Sequence, residues 1–446
     1  MLYNVCAARP SFPVCLVLGW RDAELLFPVI MAFIKILKGV IPDFLRDKIH
    51  ALKSSVLFVL NTILSHRTSD VKEGVSSRQF VPLSSRSFVR RDEDCKLIAF
   101  YLPQFHAIEL NDKNFGRGFT EWQNVAKATP QFPGHYQPHV PIDVGFYDLS
   151  HEDVMFRQIE LAKQYGLYGF CFHYYWFSGH RLLEKPLFNW LNNKELDFPF
   201  CLCWANENWS TLWDGGNREV IMKQELTEND FERFWTDIKM FFEDKRYIKV
   251  NGCPLLVIYR PSLFENKLFL KFVDSLKEMA LRDGFNGLLI LRSNFSSLGT
   301  SREWGCDGTV QFPPHGMWGY VAPMFNPGFT KRNNMGRVDL TAFLKDTSVA
   351  AANLPDNEYR CAFPSWDNTA RKCHSGGCVF SGITPESFSG WLKECIIWTR
   401  THHDEDHQFV FINAWNEWGE GAHLEPDTRY GYAHLKAVRD ALEGCR

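Results

Sequence analysis

One stretch of the chain reads Phe409-Val-Phe-Ile-Asn-Ala-Trp-Asn-Glu-Trp-Gly-Glu-Gly421. It begins inside a short apolar run, Gln408–Ala414, which has the length and near-continuous hydrophobicity of a parallel strand buried on both faces. Polar and aromatic residues follow directly, among them Glu417 and Glu420. Because ligand sites of parallel α/β folds lie at the carboxyl ends of the strands, this stretch predicts a buried strand that delivers two carboxyl groups to a site.

Seven similar apolar runs precede this one, and amphipathic stretches of helical character separate them. Eight strands in about 350 residues indicate an α/β fold, a (β/α)8 barrel of the TIM type, whose usual size is about 250 residues before insertions. A doubly wound open sheet is the alternative, but no glycine-rich phosphate loop follows the first run. The predicted strands are Leu97–Pro103, Tyr168–Tyr174, Phe198–Trp204, Pro254–Tyr259, Gly287–Arg292, Gly308–Phe312, Arg360–Pro364 and Gln408–Ala414.

The chain before the barrel is predicted to form two parts. Residues 1–64 form an apolar, partly helical extension, residues 65–95 a polar linker, and residues 96–446 the catalytic barrel. The run Leu25–Leu37 is apolar, but it falls short of the roughly 20 residues of a membrane-spanning helix, and no signal peptide is expected. The extension either contacts a membrane or partner peripherally or packs on the barrel. We expect a cytoplasmic protein, with membrane association as the second option.

Composition and motif spacing argue against nucleic-acid binding, a disulfide framework and a metal site. The 446 residues carry a net charge of -3 without a basic run, which argues against nucleic-acid binding. Thirteen cysteines lie largely in apolar runs, so we expect no disulfide framework. Cys373, His374 and Cys378 form one close group without a second pair at zinc-site spacing. We therefore predict no metal and no cofactor.

Nearly every predicted strand ends in polar and aromatic residues. Sugar rings pack against aromatic faces while polar side chains bind their hydroxyls, so these ends together predict a concave glycan-binding site. The residues predicted to bind substrate are Gln104, His106, Glu121, Trp122, His173, Tyr174, Tyr175, Trp204, Asn206, Glu207, Trp209, Trp366, Asp367, Asn413, Trp415 and Asn416.

Glu417 and Glu420 are the predicted catalytic pair. Cleavage of a glycosidic bond needs one carboxyl group to protonate the leaving oxygen and a second group to act as base or nucleophile. Glu417 comes directly off the eighth strand, and Gly419 and Gly421 permit a tight turn that directs Glu420 into the same mouth.

Other roles for these carboxylates stay open. Trp415 and Trp418 are expected to desolvate and so raise the pKa of a carboxyl group, as a general acid requires. Glu420 could instead cap a helical turn or pair with an arginine. Glu207 and then Asp367 are the next candidate acids, and either could instead bind substrate hydroxyls.

Several long motifs resemble those of the WbsX-type proteins of surface-polysaccharide biosynthesis, which are similar to the endo-α-mannosidases and endo-α-mannanases of glycoside hydrolase family 99. The resemblance covers the chain from about Lys96 to the end. It rests on residues 99–106, 118–122, 204–209, 363–368 and 409–427, which include AFYLPQFH, GFTEW, WANENW, FPSWDN and FVFINAWNEWGEGAHLEPD.

The resemblance implies a (β/α)8 barrel with metal-independent chemistry at an α-linked, mannose-like sugar. The first glutamate of the family 99 motif is assigned as a base on the 2-hydroxyl through an anhydro-sugar intermediate, and the second as the acid/base. Those roles would fall on Glu417 and Glu420. The hydrolases commonly carry histidine where this chain has Gly419.

Two alternatives accompany glycan hydrolysis. WbsX-type proteins are labelled glycosyltransferases of O-antigen, lipopolysaccharide or capsular polysaccharide biosynthesis, although no Asp-x-Asp motif stands where it could hold a nucleotide-sugar metal ion. A non-catalytic glycan-binding barrel is the other alternative, but a pure binder would not need both Glu417 and Glu420. An oligosaccharide or polysaccharide is the expected partner in each case.

Overall fold

The protein folds as a barrel of parallel strands in the computed structural model, which describes residues 79–211, 219–294, 300–317, 336–347, 354–355, 357–372 and 377–446. The barrel strands, in chain order, are β1 (Lys96–Tyr101), β2 (Gly169–Phe177), β3 (Phe200–Trp204), β4 (Cys253–Ile258), β5 (Leu289–Ser293), β6 (Gly308–Val310), β7 (Glu358–Tyr359 with Cys361–Ala362) and β8 (Phe409–Ile412).

Each barrel strand pairs in parallel with its neighbours, and the ring is closed. β8 pairs with β1, and the two parts of β7 pair with β6 on one side and β8 on the other. The predicted barrel is therefore confirmed, and each of the eight predicted runs contains or overlaps one strand. The seventh run differs most, because β7 is interrupted at Arg360. The part before Arg360 pairs with β6, and the part after it pairs with β8.

Helices connect the strands and cover the outside of the barrel. Within the described residues they are α1 (Glu109–Phe115), α2 (Glu121–Lys127), α3 (Glu152–Gln164), α4 (Lys185–Asn192), α5 (Asp230–Phe242), α6 (Asn266–Arg282), α7 (Pro385–His402) and α8 (Ala433–Glu443). α7 begins with a capping box between Thr384 and Ser387, which satisfies backbone donors at its first turn.

The alternation of side chains along each strand separates the pocket from the helix layer. On β2, Tyr174 points outward, where its hydroxyl donates to Asp237 of α5 at 3.3 Å. Its neighbours His173 and Tyr175 point the other way and line the pocket. Adjacent residues of β2 therefore face opposite sides of the barrel wall, one the pocket and the next the helix layer.

Short elements at the carboxyl ends of the strands shape the pocket. Asn416–Glu417 pairs in antiparallel fashion with Ala422–His423, and the 3-10 turn Trp418–Glu420 lies between them. Other short strands are His180–Leu182, Trp209–Ser210, Val220–Met222, Lys249–Val250, Gly336–Asp339, Trp366–Asp367 and Cys378–Ser381, and further 3-10 turns are Pro261–Leu263, Arg302–Trp304, Phe343–Lys345 and Glu405–His407.

The predicted extension, residues 1–64, and the first part of the predicted linker, residues 65–78, lie outside the described residues. The last part of that linker, from residue 79 to 95, is bonded to the barrel: the guanidinium of Arg90 donates to the carbonyl of Gly166 at 3.1 Å, and Arg446 pairs with Asp94 at 2.6 Å. No helix in the described part of the chain is both long and apolar enough to cross a membrane. The ten cysteines in that part are all unpaired.

Candidate active site

A cavity of about 490 Å³ opens at the carboxyl ends of the barrel strands. Its walls combine aromatic, cationic and carboxylate side chains, the mixture that a polar ligand with apolar faces requires. The lining residues are Leu102, His173, Tyr175, Ala205, Glu207, Asn208, Trp209, Ser210, Val220, Tyr259, Arg260, Leu263, Phe312, His315, Arg371, Lys372, Asn413, Glu417 and Glu420.

Glu417 and Glu420 enter this cavity from the turn that follows β8. Asn416 fixes the start of the turn, because its amide accepts from the backbone N–H of Leu102 at 2.8 Å and donates to the carbonyl of Leu102 at 3.0 Å. Gly421 ends the turn in the left-handed conformation, with φ of 61°. The turn thus presents both glutamates on the same side.

Arg371 binds three carboxylates at the floor of the cavity. Its Nε donates to Glu121 at 2.9 Å, its Nη2 to Glu417 at 2.7 Å and its Nη1 to Glu420 at 2.9 Å. The Arg371 side chain is only 6% exposed, so these ion pairs are poorly screened by water. The alternative in which Glu420 pairs with an arginine is therefore observed, with the same arginine also holding Glu417.

Burial raises the pKa of both glutamates of the predicted catalytic pair. Burial raises the pKa of Glu417 well above its ordinary value, although the guanidinium of Arg371 opposes the shift. Burial likewise raises the pKa of Glu420, against the charges of Arg371 and Lys372. Three carboxylates around one guanidinium also repel each other. The pair can therefore hold a proton at a pH at which a free glutamate is ionised, as a general acid needs.

Gly419 makes room for the carboxylate of Glu121. A Cβ at position 419 would overlap Oε1 of Glu121 and lie 2.9 Å from its Cδ and 3.2 Å from Nη2 of Arg371. A side chain at this position would therefore displace the ion pair between Glu121 and Arg371. The glycine at this position is a steric requirement of the three-carboxylate cluster.

A further buried carboxylate, that of Glu425, stabilises the turn. Glu425 accepts from Nε1 of Trp415 at 3.1 Å, Nε1 of Trp418 at 2.7 Å, the hydroxyl of Tyr147 at 2.8 Å and Nε2 of Gln158 at 2.7 Å. Burial raises the pKa of Glu425 to about 7. Because it binds the two tryptophans on either side of Glu417, Glu425 fixes the course of the turn that carries Glu417 and Glu420.

The structure brings seven of the predicted site residues to the cavity wall. Four more lie one layer behind the wall, where each bonds the side chain or the backbone of a residue that lines the cavity. Gln104, for example, donates to the hydroxyl of Tyr175 at 2.6 Å. The lining residues are His173, Tyr175, Glu207, Trp209, Asn413, Glu417 and Glu420, and those behind are Gln104, Glu121, Asn206 and Asn416.

The other seven predicted residues do not line the cavity and have partners inside the protein. The indole N–H groups of Trp122, Trp204 and Trp415 donate to Tyr147, Trp176 and Glu425, and Tyr174 bonds Asp237 on the helix side. Asp367 pairs with His135 at 2.6 Å, His106 contacts the carbonyl of Pro103 at 2.9 Å, and Trp366 packs against His315. Their polar atoms are used to hold the loops.

Arg371 and Lys372 are the important residues that the sequence reasoning missed. They follow the predicted strand-end cluster Trp366–Asp367 by only a few residues. A search for acids, histidines and aromatic residues passes over a buried arginine, but three carboxylates gathered at one site require a cation. That requirement is the signal that could have pointed to Arg371.

One group of buried side chains has donor types that could hold a metal ion. The ligand atoms of His139, His423 and Asp427 all lie within 4.8 Å of one another. Nδ1 of His139 is 2.8 Å from Nε2 of His423, the length of a hydrogen bond, so the two rings satisfy each other. Cys373 and His374, from the weak metal motif, lie outside the described residues.

A barrel of parallel strands with paired carboxyl groups in a polar pocket at the strand ends is an arrangement that carbohydrate-active enzymes use. Comparison with known proteins defines the family. The chain belongs to the family described as Glycosyltransferase WbsX, whose model matches residues 97–438. The predicted resemblance is thereby confirmed.

Two relatives are similar in sequence to most of this chain. Both are called uncharacterized protein WxcX and come from Xanthomonas campestris pv. campestris, strains ATCC 33913 and B100. Each is 38% identical over 352 residues, which are 78% of this chain and 49% of the relative. The chain thus spans about half the length of the curated relatives it matches.

Solved structures share the fold at low sequence identity. The family 99 endo-α-mannosidase from Bacteroides thetaiotaomicron has a TM-score of 0.50 and 14% identity, over 80% of this chain and 98% of that one. A glycoside hydrolase-like protein has the same TM-score and identity, over 82% and 99%. At this identity the likeness shows the common barrel.

Proposed function

We propose that this chain cleaves an α-linked, mannose-like glycan, an oligosaccharide or polysaccharide, by a metal-independent mechanism that uses Glu417 and Glu420. The observation that carries the proposal is the pair formed by the buried Glu417 and the partly buried Glu420, both bonded to Arg371 and both on the cavity wall. A protein that only binds glycans would gain hydroxyl partners from such a pocket. It would not need two carboxyl groups whose pKa values are raised by burial.

In the first step Glu417 acts as a base and Glu420 as an acid. Glu417 removes the proton of the sugar 2-hydroxyl while that oxygen attacks the anomeric carbon, and Glu420 donates its proton to the leaving glycosidic oxygen. The glycosidic bond breaks, and a 1,2-anhydro sugar forms. Arg371 stays bonded to Glu121 while Glu417 and Glu420 exchange protons with the sugar.

The second step reverses both proton transfers. Glu420, now a carboxylate, removes a proton from water as the water oxygen attacks the anomeric carbon. The 2-oxygen leaves that carbon and recovers its proton from Glu417. Two inversions at one carbon give net retention, and the reaction requires a free 2-hydroxyl on the sugar.

The test is incubation with α-mannan and α-mannosyl oligosaccharides in the absence of any nucleotide sugar. We expect released sugar, detected by chromatography and mass spectrometry. Glu417→Gln and Glu420→Gln should each lower the rate by about 10²- to 10⁴-fold, the usual contribution of a general acid or base. Glu195→Gln, at an exposed glutamate after α4, is the matched control and should leave the rate unchanged.

Two outcomes would contradict this proposal. A 2-deoxy substrate that is cleaved as fast as the normal sugar would exclude the anhydro mechanism. Activity that appears only with a sugar nucleotide, and that survives both glutamate substitutions, would favour glycosyl transfer. The description of the family as glycosyltransferases is the observation that keeps transfer as the second candidate. The unpaired cysteines support a reducing, cytoplasmic setting for either reaction.

A further inference from the structure

Three cationic side chains line the cavity, and they differ in the number of carboxylates they bind. Arg371 is bonded to three carboxylates, and Arg260 pairs with Glu207. Lys372 lies half-buried on the same wall and forms no ion pair with any residue in the described part of the chain. A half-buried ammonium beside a pocket attracts an anion more strongly than one in open water.

Arg260 is held in place by two residues that follow β3. The side-chain amide of Asn206 accepts from the backbone N–H of Arg260 at 2.7 Å and donates to its carbonyl at 2.8 Å. Glu207 binds the guanidinium of the same arginine. Asn206 and Glu207 therefore orient a cation at the cavity wall, and Arg260 is pre-arranged for a ligand.

His315 lines the same cavity as Lys372 and Arg260. Burial, together with the charges of Lys372 and Arg260, lowers the pKa of His315 to about 4. A neutral imidazole can donate a hydrogen bond without adding charge. The ring lies on the face of the cavity next to Phe312, with 6.3 Å between ring centroids. Three hydrogen-bond donors thus line one cavity.

We propose that Lys372, together with Arg260 and His315, forms a subsite for an anionic group of the substrate, either the carboxylate of an acidic sugar or the phosphate of an activated sugar. The inference rests on the proposed function, because it assumes that a sugar occupies this cavity. Lys372 also interacts with Glu420. An anion bound to Lys372 would offset that positive charge and favour the protonated form of Glu420, which the leaving oxygen needs.

The experiment measures binding of sugar pairs that differ in charge. Isothermal titration calorimetry of the full chain would compare methyl α-mannoside with its uronic acid, and mannose with mannose 1-phosphate. The charged member should bind at least about tenfold more tightly, since one hydrogen bond between charged groups is worth about 1.5–3 kcal/mol. Lys372→Gln should abolish the preference and leave the neutral sugars within about twofold. Lys372→Arg should keep it, as should Lys271→Gln at an exposed control lysine of α6.

The two charged probes distinguish the sources of the anion. If the uronic acid binds more tightly than its neutral partner, the substrate is an acidic glycan. If the sugar phosphate does, the substrate is an activated sugar donor. Equal binding of charged and neutral sugars, or a preference that survives Lys372→Gln, would overturn the subsite. Loss of cleavage in Glu417→Gln and Glu420→Gln is measured separately. A chain that selects for charge but cleaves nothing would keep the subsite and refute the proposed hydrolysis.

Discussion

Gly419 and Glu121 lie far apart in the sequence and occupy one space in the fold. The carboxylate of Glu121 fills the volume that a side chain at 419 would need, and Arg371 binds it there. Histidine, which family 99 hydrolases commonly carry at this position, could not fit beside this carboxylate. The departure at Gly419 is therefore coupled to Glu121 and Arg371, and it alters the floor of the site while Glu417 and Glu420 are both retained.

Two glycine substitutions should have opposite effects on stability. We expect Gly419→Ala to cost about 1–3 kcal/mol, because its Cβ would clash with buried charged groups that cannot move apart freely. Gly390 in α7 has no atom within 4 Å of an added Cβ, so Gly390→Ala should stabilise the protein by about 0.5–1 kcal/mol. Thermal unfolding checks both, and equal effects would refute the steric role of Gly419.

Removal of the guanidinium should make stability depend on pH. Arg371→Met leaves three buried carboxylates without a cation, at a cost of about 3–5 kcal/mol near neutral pH. The folded-state pKa of Glu417 is already raised by burial and would rise further. Raised carboxyl pKa values give stability that is present at low pH and lost as pH rises, so the deficit should grow between pH 5 and pH 8.

Unfolding midpoints of the wild type and Arg371→Met at both pH values measure this deficit. Arg282→Met is the matched control, because Arg282 pairs with Glu232 and Asp283 at the exposed surface and should matter little at either pH. A deficit of the same size at pH 5 and pH 8 would show that Arg371 contributes packing alone.

At the scale of elements, the turn after β8 is held to β1 by side-chain hydrogen bonds in place of backbone pairing. Asn416 is completely buried, and its amide bonds both backbone groups of Leu102 and the hydroxyl of Tyr147. It thereby ties the start of the catalytic turn to the end of β1. The side chain predicted to bind sugar instead fixes the backbone from which Glu417 projects.

Asn416→Ala should destabilise the protein by about 2–4 kcal/mol, because buried backbone groups of Leu102 would lose their partner. Asn114→Ala is the control: the Asn114 amide donates to Leu110 on exposed α1, and its loss should change stability by less than about 0.5 kcal/mol. Thermal unfolding of both variants checks the difference. Similar losses in the two would mean that Asn416 does not hold the turn.

At the scale of the whole molecule, residues 79–95 extend the folded unit beyond the part that matches the family. Phe88 is buried at the end of α3, where its ring lies 4.5 Å from the guanidinium carbon of Arg446. Ser84 and Arg86 accept hydrogen bonds from Arg439 of α8. This segment therefore joins the beginning of the barrel to its last helix.

Phe88→Ala should cost about 3 kcal/mol, the usual effect of removing a buried aromatic side chain. The next residue, Val89, is 76% exposed, and Val89→Ala should have little effect. Denaturant unfolding of the two variants compares adjacent positions of one segment. A small effect at Phe88 would mean that residues 79–95 act as a linker.

Much of the fold could be predicted from the chain because strand hydrophobicity is a local property. All eight apolar runs lie on barrel strands, and Glu417 and Glu420 lie in the cavity as predicted. The tryptophans illustrate where the prediction stopped. Trp204 and Trp415 stand at strand ends like Trp209, but only Trp209 lines the cavity. Side chains alternate across a strand, and the side chains of Trp204 and Trp415 are buried in the core.

The sequence by itself determined the barrel, the family and the turn with two glutamates, since each is written in contiguous residues. Only the tertiary structure decided what surrounds those glutamates. Arg371 and Glu121 are 250 positions apart, and their ion pair exists because the loops after β1 and β7 meet above the barrel. The charge on Glu417 and Glu420 depends on that meeting, and no local pattern in either loop could specify it.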